Sequence, residues 1–328
     1  MKLSVVIPSL NGGAILAEHL PEVCRQAAAI EGGAEVLVVD DASDARADNS
    51  REVVLAQPGA RWLALETRRG FAGSSNHGAA ESHGELLLLL NNDMHPEPGA
   101  LEALLREFAR CDGLFALSPV IVNVEEGFPE STNRAYFRRG VFELTFPGRQ
   151  GIPAPARGER RPLAYACGGA MLCRRELFLD LGGFPELHAP FYWEDADLGW
   201  RAQRRGLEIF ETGNARVRHD HSRTIGAFYN RKQVRRIYER NRLLFTWVHL
   251  VGVRATIEHL LWLFPRWLWA VLRGHPAAAA LPKALVRLAE VRRARQSLSA
   301  TMARAHVLLN TAREGMPRGD QPARFRKS

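Results

Sequence analysis

Leu86-Leu87-Leu88-Leu89-Leu90-Asn91-Asn92-Asp93 is the stretch on which the fold turns. An unbroken leucine run of this length lacks the alternation of a half-exposed strand and is too short for a helix, so it reads as a strand covered on both faces. Residues 3–7 (LSVVI), 35–39 (EVLVV) and 61–65 (RWLAL) have the same character. Between these runs lie helical patterns at about 14–29, 48–57 and 72–82, each long enough for a right-handed crossover. The expectation is an α/β fold with a Rossmann-like, mostly parallel central sheet flanked by helices. Ligands of such sheets sit at the carboxyl ends of the strands, where the Asn-Asn-Asp falls.

Further along, a helix at about 97–110 and a strand at 114–122 precede a Gly/Pro/Arg-rich stretch, 123–162, which reads as a loop or hairpin insertion over the site. Regularity returns with a strand at 164–172, a short helix from Arg174, a helix from about Asp195, and strands near 207–210 and 215–219. Beyond Phe228 the pattern is helical, amphipathic and basic to about residue 312. The chain divides into residues 1–228, with the sheet and the candidate site; 229–314, a basic, Trp-rich, amphipathic helical extension at its C-terminal side; and a tail, 315–328, expected to be disordered.

The 328 residues are 46% hydrophobic and 24% charged, enough for a sizeable core and unlike a disordered chain. The four cysteines, Cys24, Cys111, Cys167 and Cys173, form no CxxC pair and no His/Cys cluster, which suits a reducing compartment without structural zinc. No signal peptide is visible, and the apolar stretches 243–253 and 257–272 are cut by Arg254, Glu258 and Arg266, so no membrane span is expected. A cytoplasmic protein is the expectation. The net charge of +8 hides an asymmetry: residues 1–200 carry −10 and residues 201–328 carry +18. A basic C-terminal third points to an anionic partner. Trp247, Trp262, Trp267 and Trp269 favour an anionic membrane surface over nucleic acid, because tryptophan concentrates at headgroup level. A solvated basic face over a Trp-rich core is the competing reading. A nucleic-acid partner is not expected, since it would need aromatic platforms turned to a groove.

The first strand ends in IPSLNGG, residues 7–13, without the GxGxxG that a dinucleotide fold needs, which excludes a dehydrogenase. The second ends in Asp40-Asp41-Ala42-Ser43, where a carboxylate can accept a hydrogen bond from a base imide or a ribose hydroxyl; the same residues would also cap a helix. Arg69-Gly70-Phe71-Ala72-Gly73-Ser74-Ser75-Asn76 opens the third helix, and its backbone N–H groups, with Arg68 or Arg69, suit a phosphate as well as they suit a plain cap. Asp93 beside carboxamides suits a hard divalent cation bridging two phosphates, or else a turn. Glu194-Asp195-Ala196-Asp197 follows Phe191-Tyr192-Trp193 and puts three carboxylates within four residues. Like charges disfavour one another, so at least one is a candidate proton acceptor with a raised pKa, although helix N-termini also favour acids. Trp193 offers a flat face to a sugar ring. His219-Asp220-His221-Ser222 follows the last strand, and His219 there is a metal-ligand candidate or a hydrogen-bonded strand end.

In this order, SVVIPSLNGG, VLVVDDAS, RRGFAGSSNHGAA, LLLLLNNDMHPEPGAL, CGGAMLCRRELFLDLGGFPE, FYWEDADLGWR, HDHS and ERNRLLF resemble glycosyltransferase family 2, inverting enzymes with the GT-A fold, over about residues 3–250. The resemblance implies transfer of a sugar from a UDP- or dTDP-linked donor to a hydroxyl of a glycan or lipid-linked acceptor. The branch it is similar to contains bacterial rhamnosyl- and other surface-polysaccharide transferases, peripheral on the inner face of the cytoplasmic membrane. It implies Asp195 as the catalytic base, with Glu194 as the competing assignment. It implies a nucleotide site of Pro8, Ser9, Asn11, Asp40, Asp41, Arg69, Gly70, Asn76 and Asn92, and a divalent cation, Mg2+ or Mn2+, on Asp93 and His219. The acceptor side would be formed by Gly168, Gly169, Trp193 and Asp197. Asn91 or Asn92 stands where the family has its first metal-site carboxylate, which implies weak metal affinity. The alternative is a non-catalytic relative that binds nucleotide and membrane as a scaffold; the presence of both Asp93 and Asp195 weighs against it.

Overall fold

The computed structural model describes residues 2–44, 46–111, 113–220 and 228–298. His221, Ser222, the end of the expected helical extension (299–314) and the expected disordered tail (315–328) lie outside the described residues.

Four strands, β1 (Leu3–Ser9), β2 (Ala34–Asp40), β3 (Ala60–Ala64) and β4 (Leu86–Leu90), pair in parallel in the order β3-β2-β1-β4. The leucine run is covered on both faces, as its composition demands. Leu88 and Leu90 pack with Leu16, Leu20 and Val23 of α1 (Gly13–Ala28) and with Leu101 and Leu104 of α4 (Ala100–Phe108). Leu87 and Leu89 pack with Ala72 and Ala79 of α3 (Gly70–Glu81) and Phe178 of α5 (Arg175–Asp180). None of these four leucines is more than 2% exposed, so truncating one to alanine should cost about 2–5 kcal/mol. Between β2 and β3 the crossover is α2 (Ser50–Ala56). Small residues let α3 lie close on the sheet: a Cβ on Gly78 would stand 2.3 Å from Val6 Cγ1.

Beyond β4 the sheet continues with β10 (Ala170–Arg174), antiparallel to both β4 and β6 (Leu114–Asn123). Then come β11 (Glu208–His219), parallel to β6, and β5 (Met94–Pro96), antiparallel to β11; β9 (Arg160–Pro162) also pairs with β11. Two expected boundaries move. The strand expected at 164–172 begins at Ala170, because the preceding residues turn, with Ala170 N–H closing on Cys167 O at 3.0 Å. The strands expected at 207–210 and 215–219 are one strand, whose register shifts between Thr212 and Arg216. Gly213 looks like a break in the sequence but belongs to this bulge, and a Cβ there would lie 2.0 Å from Ala156 O.

The 123–162 insertion holds a hairpin of β7 (Arg134–Arg138) and β8 (Val141–Thr145). Its turn residue Gly140, at φ +78°, packs against α8 (Val253–Leu272), where a Cβ would lie 2.8 Å from His259 Cα. α7 (Arg231–His249) opens with a capping box between Asn230 and Gln233 and packs Phe245 against Phe142 of the hairpin and against Trp193. α9 (Ala280–Leu285) and the helical residues 288–298 return onto α7 through Leu244, Val248, Ala284 and Val291. α8 is different: only His259 and Ala270 are buried, while Val253, Ile257, Leu260, Leu261, Phe264, Leu268 and Leu272 form one exposed apolar stripe. Among the described residues no helix is long and apolar enough to cross a membrane.

Candidate active site

The ends of β1 and β2 are tied together, with Asp41 N–H donating to Ser9 O (2.9 Å), Asn11 N–H to Ser43 Oγ (2.8 Å) and Asp44 N–H to Asn11 Oδ1 (2.9 Å). Asn92 Nδ2 donates to Ser9 Oγ at 3.1 Å, which joins the end of β4 to the end of β1. Asp40 accepts from Ser43 N–H at 3.0 Å and from the Ser43 hydroxyl, and so shapes its own turn. Asp41, only 6% exposed, accepts from Arg69 N–H (2.7 Å) and Gly70 N–H (2.9 Å). The start of α3, expected to offer these groups to a phosphate, already holds a carboxylate, an arrangement that a helix N-terminus favours. Phe71 N–H turns to Pro190 O at 3.4 Å, and the Arg69 side chain pairs with Glu186. The Asn76 amide holds both backbone groups of Phe184, at 2.7 and 2.8 Å.

Asp93 lies between β4 and β5, where Asp220 N–H donates to Asp93 O at 3.1 Å. His219, across from Met94 in the sheet, has Nε2 3.8 Å from Asp93 Oδ1 and Nδ1 2.7 Å from Glu130 Oε2. Asn123 Nδ2 holds the other Glu130 oxygen at 2.8 Å. Burial works to lower the His219 pKa, but Asp93 and Glu130 outweigh it and raise it to about 9. This row is also how a ligating histidine is oriented, with a carboxylate fixing one ring nitrogen while the other faces the ion. Asp93 and His219 therefore fit the expected divalent cation. Glu130 escaped the sequence reading because it sits in a stretch without periodicity.

From the same turn, Asn91 N–H donates to Gly169 O (2.8 Å), and Gly168 N–H donates to Asp195 Oδ2 (3.3 Å). Two glycines thus link the cation turn to the start of α6 (Glu194–Arg204). A Cβ on Gly169 would lie 2.7 Å from Met94 Cε. Asp195 Oδ1 accepts from Ala196 N–H at 2.8 Å. Burial raises the Asp195 pKa to about 6, although its backbone donors favour the charged form. Glu194 is 5% exposed, and burial followed by the Asp195 charge pushes its carboxyl well above the usual range. Its Oε2 has no hydrogen-bond partner. Burial thus disfavours charge on both carboxyls, and Asp195 is the less buried of the two.

Asp197 is not on the acceptor side, as had been expected. It is 3% exposed, Oδ1 accepts from Arg201 Nε (2.7 Å), and Oδ2 lies 2.8 Å from His249 Nε2 and 3.2 Å from His188 Nε2. Against the effect of burial, His249, Arg201 and His188 hold this carboxyl well below the usual range. Trp193 is corrected as well: at 1% exposure, packed on Tyr238 and Phe245 with ring centroids 5.5 and 5.0 Å away, it has no face for a sugar. The aromatic that borders the carboxylates is the half-buried Tyr192, its hydroxyl pushed up to about 12 by burial and then by Glu194 and Glu130. Asn241 of α7, inside the ERNR motif, donates to Phe191 O and Tyr192 O at 2.9 Å and so fixes that loop.

Residues 4–182 match Glycosyl transferase family 2. Over 232 residues the chain is 30% identical to a pre-mycofactocin glycosyltransferase of Mycobacterium tuberculosis, covering 70% of this chain and 45% of that protein. Over 149 residues it is 29% identical to N-acetylglucosaminyl-diphospho-decaprenol L-rhamnosyltransferase of the same organism, covering 43% of this chain and 48% of that protein. The chain spans about half the length of these curated relatives. Its fold is that of the GT-A group and is similar to the crystal structure of GalNAc-T7 with UDP, GalNAc and Mn2+, at a TM-score of 0.56 and 16% identity, covering 76% of this chain and 48% of that one.

Proposed function

The chain belongs to glycosyltransferase family 2, and on that premise we propose that it transfers a sugar with inversion from a UDP- or dTDP-linked donor to a hydroxyl of a glycan or lipid-linked acceptor. The observation that carries this is Asp195, a partly accessible carboxylate with a pKa near 6, linked through Gly168 and Gly169 to the turn that bears Asp93. Asp195 accepts the proton of the acceptor hydroxyl as its oxygen attacks the anomeric carbon, and the nucleoside diphosphate leaves from the opposite face. Asp93 and His219 would hold a divalent cation, which when bound would offset the charge developing on the diphosphate. Asp41 faces the base and ribose. Positioning by the fixed strand ends supplies much of the remaining barrier reduction.

A lipid-linked acceptor is supported by one relative, named for a diphospho-decaprenol substrate, and by the exposed stripe of α8. In this reading the stripe lies in the inner face of the cytoplasmic membrane, with the protein peripheral and its basic third at the headgroups. The test is a panel of UDP-, dTDP- and GDP-sugars scored for thermal stabilisation and for slow hydrolysis, with and without Mn2+. Stabilisation and hydrolysis by one donor class are expected; a panel without any response would overturn the transferase reading.

A further inference from the structure

Glu18 and His19 on α1, His95 on β5 and Asp220 just after β11 each turn a ligand atom toward one point, and these atoms all lie within 4.8 Å of one another. We propose that they form a second cation site, separate from the Asp93–His219 pair, which takes one transition ion of the zinc type. Two imidazoles with two carboxylates are a donor set for zinc or its first-row neighbours; magnesium and calcium prefer oxygen alone.

The rings of His19 and His95 meet edge to face with centroids 3.1 Å apart, and an ion between them has to part them, since two imidazoles on one tetrahedral zinc stand roughly 5 Å apart. His95 Nε2 is 3.2 Å from Asp220 Oδ2, and His19 Nε2 is 3.9 Å from Glu18 Oε2. Zinc bonds of about 2.0–2.2 Å in a tetrahedron put ligand atoms roughly 3.4 Å apart, so the widest separations must close by roughly 1 Å. The group that can move is Glu18, whose side chain is 53% exposed, while that of His19 is 4% exposed and that of His95 14%. The site thus combines two imidazoles in mutual contact with an adjustable carboxylate.

Its location gives the ion a role. β5 begins directly after Asp93, and Asp220 directly follows His219. An ion here ties α1 to both segments that carry the Asp93–His219 pair and braces that pair from behind. The positions are scattered over three segments, so no spacing motif announces them.

The test uses the full chain, stripped with a chelator and titrated with Zn2+ or Co2+ without nucleotide, so that its outcome does not depend on the transferase reading. Wild type should bind one equivalent more than His95→Gln, Asp93→Asn should keep that equivalent and its gain in thermal stability, and the Co2+ form should show the intense visible absorption of low-coordinate cobalt. His95→Gln should weaken binding about tenfold or more and abolish that absorption. His19 is buried, so the exposed Glu18→Gln serves as the second variant, with weaker binding in a folded protein. Failure of the wild type to bind, or binding lost in Asp93→Asn but kept in His95→Gln and Glu18→Gln, would overturn the site.

Discussion

The turn after β4 and the first turn of α6 are joined by Gly168 and Gly169, yet they treat charge in opposite ways. At the first, His219 stands between Asp93 and Glu130, whose opposite charges raise its pKa to about 9. At the second, burial isolates Glu194 and Asp195 and lifts both carboxyls. A region of balanced charges is suited to hold an ion; one that isolates its carboxylates is suited to take a proton. Asp197, two residues from Asp195, shows that the difference is not set by the helix: His249, Arg201 and His188 give it the balanced treatment, and it becomes a brace.

The strongest way to break the contrast is Asp195→Asn, which keeps the size and removes the base. Turnover should fall by roughly 10² to 10⁴ with donor affinity within a few fold of wild type. Normal turnover in this variant, with an inactive Glu194→Gln, would move the role one residue. In wild type the working form of Asp195 is deprotonated, so kcat/KM should be level above about pH 6 and fall about tenfold per unit below it.

Asp197→Asn attacks the balanced carboxylate within the same helix. Removing one partner of this buried network should cost about 3–5 kcal/mol in denaturant unfolding. A carboxyl held below its unfolded pKa contributes stability that is present above the unfolded value and lost as pH falls through the folded one. The variant should therefore lose part of the wild type's sensitivity to acid. Unchanged stability with lost acceptor affinity would return Asp197 to the acceptor side.

Glu130→Gln sharpens the comparison at the other turn: Mn2+-dependent nucleoside-diphosphate binding by calorimetry should weaken roughly 10- to 100-fold, while nucleoside alone is unaffected. The smallest effect concerns α8. Leu261→Ser with Trp269→Ser, 69% and 54% exposed in wild type, should reduce sedimentation with anionic vesicles by about tenfold at unchanged Tm. Trp267→Ala should lower Tm instead, because Trp267 Nε1 donates to Ala278 O at 3.1 Å. Vesicle binding indifferent to the double change would remove α8 from the membrane.

The sheet was legible because buried strands leave an imprint in their own residues: the leucine run and its three companions need no partner to be read. The commitments of polar side chains were not. Asn76 and its partner Phe184 are 108 residues apart, and Asp197 and His249 are 52 apart. Such a hydrogen bond commits a donor or acceptor that would otherwise be open to a ligand, yet nothing local records it. Trp193 was misread for the same reason, since its cover comes from Tyr238 and Phe245 on α7. Asp195 stands out in the sequence through its neighbours, Glu194 and the aromatic residues before it, while the cause of its raised pKa is burial.

The carboxylate of Asp41 at the start of α3 has a consequence for how a donor can lie. A diphosphate brought to that helix end would face a negative oxygen where a bare N-terminus would offer N–H groups, and like charges in so dry a place repel strongly. In the proposed reading the phosphates would lie on the His219 side of the sheet, while the neutral base and ribose would approach Asp41 as hydrogen-bond donors. On that proposal the strand ends would act as a compass needle for the nucleotide, one pole disfavouring anions and the other accepting them, so that a reversed donor would be penalised at both ends.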